Sequence, residues 1–136
     1  MTSRAPARVL DACALIAFFR AEQGWRRVAA SIRRGHASIH AVNLCEVFYD
    51  ALRSGDDRRA DTVWGTVARM GLVVHRDMDD AFLAAVGRWK VRHRISLADA
   101  FALALAERLE AVLQTTDHSE FDPIDREGEI RFEWLR

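Results

Sequence analysis

The sequence predicts an α/β fold, with a mostly parallel central sheet flanked by helices on both faces. Three observations predict it. Short apolar runs alternate with longer helical patterns along the chain of 136 residues. The connections are short, and no linker, internal repeat or low-complexity tract interrupts them. Half of the residues are hydrophobic and only two are proline, which suits a packed core rather than a disordered chain. The length fits a single domain over residues 1–136.

Arg8–Leu10 is a short apolar run and reads as the first strand. Residues 12–21 follow as an apolar helix through Cys13-Ala14-Leu15-Ile16-Ala17-Phe18-Phe19. Residues 24–34 put Trp25, Val28 and Ile32 on one face of a second helix. Ala37–Ile39 is the next strand. A helix over 41–54 carries Val42, Val47, Phe48 and Leu52 and ends at Gly55. Residues 57–70 repeat Val63, Val67 and Met70 at helical spacing, with Gly71 as the stop. Leu72–Val74 reads as a strand. Phe82, Val86 and Trp89 share one face of a helix over 79–93, whose acids Asp79 and Asp80 suit its N-terminus. The Ala/Leu-rich stretch 97–110 starts at Ser96, and Ala111–Gln114 is a strand. A polar loop follows. Ile130–Trp134 alternates apolar and charged residues, as expected of a strand with one wet face at a sheet edge.

Composition narrows the function. Twenty basic and 20 acidic residues give a net charge of zero. That argues against a strongly basic, nonspecific nucleic-acid coat, but leaves room for a local basic patch beside an acidic site. All but one of the 20 basic residues is arginine. Arginine suits bidentate phosphate contacts, although genome base composition also explains such a bias. No apolar run approaches the roughly 18 residues of a membrane span. Met1–Ala7 lacks the apolar stretch of a secretion signal. A cytoplasmic protein is expected. Cys13 and Cys45 both fall in apolar helical contexts, so both are expected to be reduced and buried. Neither belongs to a zinc-ligand spacing.

Four carboxylates break the hydrophobic pattern. Asp11 ends Arg8-Val9-Leu10-Asp11, and Glu46 sits within Asn43-Leu44-Cys45-Glu46-Val47-Phe48. Asp99 interrupts Ser96-Leu97-Ala98-Asp99-Ala100-Phe101, and Asp117 follows the last apolar run in Thr115-Thr116-Asp117. Acids seldom sit in apolar segments without a partner, because burying an ionised carboxylate is costly. Each also has a plain structural reading. Asp11 can cap the helix after it, and Glu46 can be a solvated helix residue. Asp99 can close a capping box with Ser96, and Asp117 can make an Asx-turn. Together they carry more. In parallel α/β sheets, sites form at the carboxyl ends of strands, and all four acids can face that edge. Gathered there they would repel one another, and a divalent cation held by hard oxygen ligands is the natural remedy.

These motifs resemble the PIN-domain nucleases, and within them the VapC-like toxins of toxin–antitoxin pairs. Val9-Leu10-Asp11-Ala12-Cys13-Ala14-Leu15 is similar to the family's opening strand and first acid. Asn43-Leu44-Cys45-Glu46 is similar to its helix-borne Asn-x-x-Glu. Ser96-Leu97-Ala98-Asp99-Ala100 resembles its third acid, and Thr115 to Phe121 its terminal Thr-x-Asp loop. The four motifs stand in order and cover nearly the whole chain. One departure is visible: Cys13 stands where the family often has Ser or Thr. A thiol is a poor magnesium ligand, so Cys13 is expected to be a spectator.

The resemblance implies metal-dependent hydrolysis of RNA, leaving 5′-phosphate and 3′-hydroxyl ends. Asp11, Glu46 and Asp99 would supply the inner ligands to Mg²⁺ or Mn²⁺, and Asp117 would complete the set. Asn43 and Thr115 match supporting positions. Glu120 is an extra acid for which a role outside metal binding is favoured. His118, beside Asp117, is read as a spectator. The resemblance also implies a cognate antitoxin and a homodimer, for which Phe18, Phe19, Trp25, Phe48 and Tyr49 would supply surface if they are not core. From the residues themselves, Arg88, Lys90, Arg92 and Arg94 precede Ser96 and are candidates for RNA phosphate contacts; a solvated helix face is the plainer reading.

Three other functions compete. A phosphoacceptor receiver domain would need an acid pair at the first strand and a strand-end lysine, and the only lysine, Lys90, lies in a helix. A PIN-like fold that has lost catalysis would act as a binding module, against which the retention of all four acids argues. A PIN nuclease of RNA processing that is not a toxin shares every motif, and the small size favours the toxin.

Overall fold

The structure is a computed structural model that describes residues 6–136; the stretch Met1–Ala7 read above for a secretion signal lies mostly outside the described residues. The elements run β1 (Arg8–Leu10), α1 (Ala12–Phe19), α2 (Trp25–Arg33), β2 (Ala37–His40), α3 (Ala41–Arg53), α4 (Asp57–Met70), β3 (Val73–His75), α5 (Asp80–Arg92), α6 (Leu97–Leu109), β4 (Val112–Thr115), α7 (His118–Glu127) and β5 (Phe132–Trp134). The strands form one sheet in the order β3-β2-β1-β4-β5. Every neighbouring pair is parallel. This is the α/β architecture that the strand–helix alternation predicts.

A parallel sheet covered on both sides needs strands that are apolar on both faces. β1, at the centre, meets that need, because Val9 and Leu10 are both fully buried. Successive side chains of a strand point to opposite faces, and the two belong to different cores. Val9 and Leu113 pack with Phe82, Trp89, Phe101 and Phe121 of α5, α6 and α7. Leu10 and Ile39 pack with Leu15, Val28, Leu44 and Val63 of α1, α2, α3 and α4. Each large apolar side chain buried this way contributes about 1.5–3 kcal/mol.

The helices start where short polar side chains satisfy their first N–H groups. Asp11 Oδ1 accepts from Ala14 N at 2.8 Å, Asp79 Oδ2 from Phe82 N at 3.2 Å, and Ser96 Oγ from Asp99 N at 3.0 Å. His40, fully buried between Phe82 and Phe101, accepts from Val42 N through Nδ1 at 3.1 Å and so starts α3.

The differences from the sequence reading are local. β3 and β4 each lie one residue later than Leu72–Val74 and Ala111–Gln114. β5 is an edge strand as expected, but it is shorter, and Ile130 is drawn into the core instead. Cys45 is exposed and Cys13 half-buried, so neither is the buried residue the sequence suggests. α7 occupies the expected polar loop, despite Pro123 within it. No helix among the described residues is long and apolar enough to cross a membrane.

This topology positions the site. All five strands end on one edge of the sheet. β1 delivers Asp11 there, and β4 delivers Thr115 and, two residues on, Asp117. α3 leaves β2 directly at that edge and carries Glu46. The amide of Asn43 donates to the Ala98 carbonyl at 3.0 Å, tying α3 to the first turn of α6 and to Asp99.

Candidate metal centre

Asp99, Asp117 and Glu120 each offer a carboxylate oxygen, and these atoms all lie within 4.8 Å of one another. Their positions follow from local folding. Ser96 starts α6 and places Asp99 at its third residue. The return half of the capping box is not made, and among the described residues the Asp99 carboxylate takes no hydrogen bond. Asp117 starts α7: its Oδ1 accepts from Glu120 N at 3.1 Å and from the Ser119 hydroxyl at 2.8 Å. That cap puts Glu120 in the first turn, facing Asp99.

Asp11 and Glu46 stand outside this trio but close to it. Asp11 is almost wholly buried. Both of its oxygens are engaged, Oδ1 by Ala14 N and Oδ2 by the Thr115 hydroxyl. The cap read from sequence and a place beside the cluster therefore hold together. Thr115 Oγ1 also accepts from Asp117 N at 3.0 Å, so one buried hydroxyl ties two acids. The Glu46 carboxylate lies 3.5 Å from the Asn43 amide.

The charges disturb one another. Burial pushes Asp99 up to about 8, and the charges of Asp11, Asp117, Glu120 and Glu46 add to it. Burial likewise pushes Asp11 up to about 7; the bonds from Thr115 and Ala14 oppose the rise, and Asp117 and Glu46 increase it. Glu46 is raised by burial against the pull of Asn43 and Tyr49. Glu120 is raised by burial and by Asp117, with Lys90 opposing. Burial first, and then the neighbouring acids, push the Cys13 thiol up to about 12, which favours its protonated form in the metal-free protein.

Such a set fits a hard divalent cation. Every donor is an oxygen. Glu120 Oε2 is buried and has no hydrogen-bond partner, and Asp99 is equally free. A cation there would satisfy both oxygens and offset the burial and repulsion that raise these groups.

Removing the Thr115 hydroxyl tests how the cluster is held. Thr115→Val keeps the shape but orphans Asp11 Oδ2 and the Asp117 N–H. The expected cost is about 2–4 kcal/mol, read by chemical denaturation, together with a further rise in the Asp11 pKa.

The remaining sequence candidates are spread over several environments. Lys90 donates to the Ile95 carbonyl at 2.5 Å, and its charge opposes the rise at Glu120. Arg92 is held by Glu127 and Glu129 and lies over the Trp89 ring at 5.0 Å. Arg88 lines a shallow apolar depression with Ala84, Gly87 and Val91, and Arg94 is exposed. His118 stacks on Trp134 at 3.9 Å and bonds Asp122 and the Arg136 carbonyl.

An oxygen-rich acidic cluster at the carboxyl edge of a five-stranded parallel sheet, with donors that suit a divalent cation, marks the class of fold. Residues 8–127 match the PIN domain family, and the chain belongs to it. Among solved structures, the DNA-bound VapBC complex of Salmonella typhimurium is similar at a TM-score of 0.74 and 20% identity, covering 97% of this chain and 100% of that one. A toxin–antitoxin complex from Klebsiella pneumoniae gives 0.71 at 15%, covering 96% and 98%. VapC20 of Mycobacterium tuberculosis, a sarcin–ricin loop cleaving toxin, gives 0.68 at 20%, covering 92% and 99%. At these identities the likeness is one of fold. Among curated proteins, none matches the sequence.

Sequence reasoning left Glu120 outside the favoured ligand set because it saw a loop there. A signal was present. Asp117-His118-Ser119-Glu120 has the spacing of a capped helix start with an acid at its third residue, but an Asx-turn at Asp117 reads the same way locally.

Proposed function

We propose that this PIN-domain protein is a metal-dependent endoribonuclease that hydrolyses RNA phosphodiester bonds, and that it is the toxin of a toxin–antitoxin pair. The observation that carries the reading is the meeting of Asp99, Asp117 and Glu120 within 4.8 Å, beside Asp11 and Glu46. Family membership supports the nuclease half. The shared fold with VapBC toxin–antitoxin complexes supports the toxin half.

Asp99, Asp117 and Glu120 would hold Mg²⁺ or Mn²⁺, with Asp11 and Glu46 completing the set directly or through waters. When bound, such an ion lowers the pKa of a coordinated water and neutralises charge on the phosphate and the leaving oxygen. The chain's own residues do the rest. Thr115 fixes Asp11 against Asp117, and Asn43 fixes Glu46 against the α6 start. Lys90 adds a cation on the Glu120 side, suited to a phosphate oxygen of the substrate. We read residues 1–136 as one domain acting in the cytoplasm, with a cognate antitoxin as partner, RNA as substrate and a homodimer as its working form.

The test is direct. Purified protein with single-stranded RNA and millimolar Mg²⁺ or Mn²⁺ should give products with 5′-phosphate ends, and EDTA should stop the reaction. Absence of cleavage with either metal would leave an inactive binding module. Expression should arrest growth, with relief by the product of the neighbouring gene. Cleavage without arrest would mark an RNA-processing nuclease instead.

A further inference from the structure

We infer that the pocket between α1, α3 and Arg136 is a subsite for the nucleotide next to the scissile phosphate of a single-stranded RNA, with Tyr49 as its stacking platform and Arg53 as its phosphate contact. The inference rests on the nuclease reading above and deepens it.

The pocket has a volume of about 310 Å³, and Cys13, Ile16, Glu46, Tyr49, Arg53 and Arg136 are among its lining residues. That is the low end of the range for small-ligand sites, enough for one nucleotide unit rather than a folded partner. It is continuous with the acid centre. Glu46 belongs to both, and Thr116, also in its wall, immediately precedes Asp117.

Charge makes neighbouring cations necessary, and the lining supplies Arg20, Arg53 and Arg136 beside the acids Glu22, Glu46 and Asp50. Five carboxylates crowd the centre, and the chain has no net positive charge with which to attract a polyanion. Local cations must hold the strand on either side of the reacting phosphate. The rim of this pocket is built to present them. Asp50, on α3, accepts from Arg20 at 2.7 Å and from Arg53 at 3.2 Å, and Ser54 holds Arg20 again at 2.9 Å. Asp50 thereby fixes two guanidinium groups, while the Arg53 side chain remains 76% exposed with donors to spare.

The aromatic group beside Arg53 decides the class of ligand. Tyr49 is 44% exposed, and the Arg53 guanidinium lies 5.7 Å from its ring centroid. Exposed aromatics next to arginine are how proteins hold unstacked bases, with the ring taking the base and the guanidinium the backbone. A duplex keeps its bases stacked and would not use the ring. A single strand would.

The test separates this subsite from the nuclease reading. Binding of a fluorescein-labelled single-stranded RNA is followed by anisotropy at several salt concentrations, in the Asp99→Asn background so that no substrate is consumed. Tyr49→Leu should weaken binding about tenfold, and Tyr49→Phe should restore it. Arg53→Met should weaken binding and reduce the slope of log affinity against log salt by about 0.7, as expected for one lost single-strand phosphate contact. Arg34→Ala, on the far side of the sheet's carboxyl edge, should change neither. Thermal melting checks that each variant is folded.

Unchanged affinity and slope in the Tyr49 and Arg53 variants would overturn the subsite, even if wild-type protein cleaves RNA. Tyr49-dependent binding without wild-type cleavage would keep the subsite and remove the nuclease. Absence of RNA binding would remove both. Loss of antitoxin binding with RNA binding untouched would assign the pocket to a peptide and overturn the inference.

Discussion

Asp99→Asn is expected to lower metal-dependent RNA cleavage by about 10³-fold or more, the loss that follows when a few kcal/mol of metal-supplied charge stabilisation is removed. It is a clean acid substitution because it changes charge without disturbing scaffold. Its carboxylate takes no hydrogen bond among the described residues, and the backbone N–H that Ser96 caps is kept. Asp11→Asn is different. Both Asp11 oxygens accept hydrogen bonds, and an amide offers only one acceptor, so activity and stability would fall together. Asp117→Asn retains a capping oxygen, since Asn is as good a cap as Asp. Single-turnover cleavage over a range of metal concentrations, with circular dichroism melting in parallel, separates these cases. Full activity in a folded Asp99→Asn protein would remove the metal centre from the reaction.

The sequence made most of this arrangement legible because strands and caps are local. Val9 and Leu10 are apolar on both faces, as a central parallel strand must be, and Asp11 marks its end. Ser96 and the Ala/Leu run mark α6, and Asp99 falls in its first turn. Parallel pairing then forces those ends to one edge, so the meeting of distant acids follows from topology. What stayed hidden depends on long-range pairing or on conflicting local signals. An Asx-turn and a helix cap share one local signature at Asp117, and the turn reading concealed α7 and the place of Glu120 in its first turn. Arg92 looked free in sequence, but Glu127 and Glu129, far along the chain, hold it. Nothing near Tyr49 in the sequence indicates that Arg136 and Cys13 will share a pocket with it.

Burial of these acids, added to by their crowding, should make the metal-free protein less stable as pH rises. Asp99 moves from its ordinary 3.8 to about 8 in the folded state, and Asp11 from 3.8 to about 7. Between those values the folded chain binds more protons than the unfolded one, so stability is fully present below pH 3.8 and is lost as pH climbs towards 8. Because the two groups repel each other and Asp99 is partly solvated, the loss amounts to roughly 3 kcal/mol rather than the sum of both shifts. His40 acts in the opposite sense. Burial lowers its pKa from 6.5, so its contribution is lost as pH falls. Comparison of wild type with Asp99→Asn removes that background. The metal-free variant should melt higher than wild type near pH 8, and the gap should close towards pH 4. Millimolar Mg²⁺ or Mn²⁺ binds the ionised carboxylates and should raise the wild-type melting temperature most at the alkaline end, with little response in the variant. Identical metal-free melting of the two proteins across this pH range would mean that Asp99 is neither buried nor crowded enough to hold its proton, and the case for a shared cation would go with it.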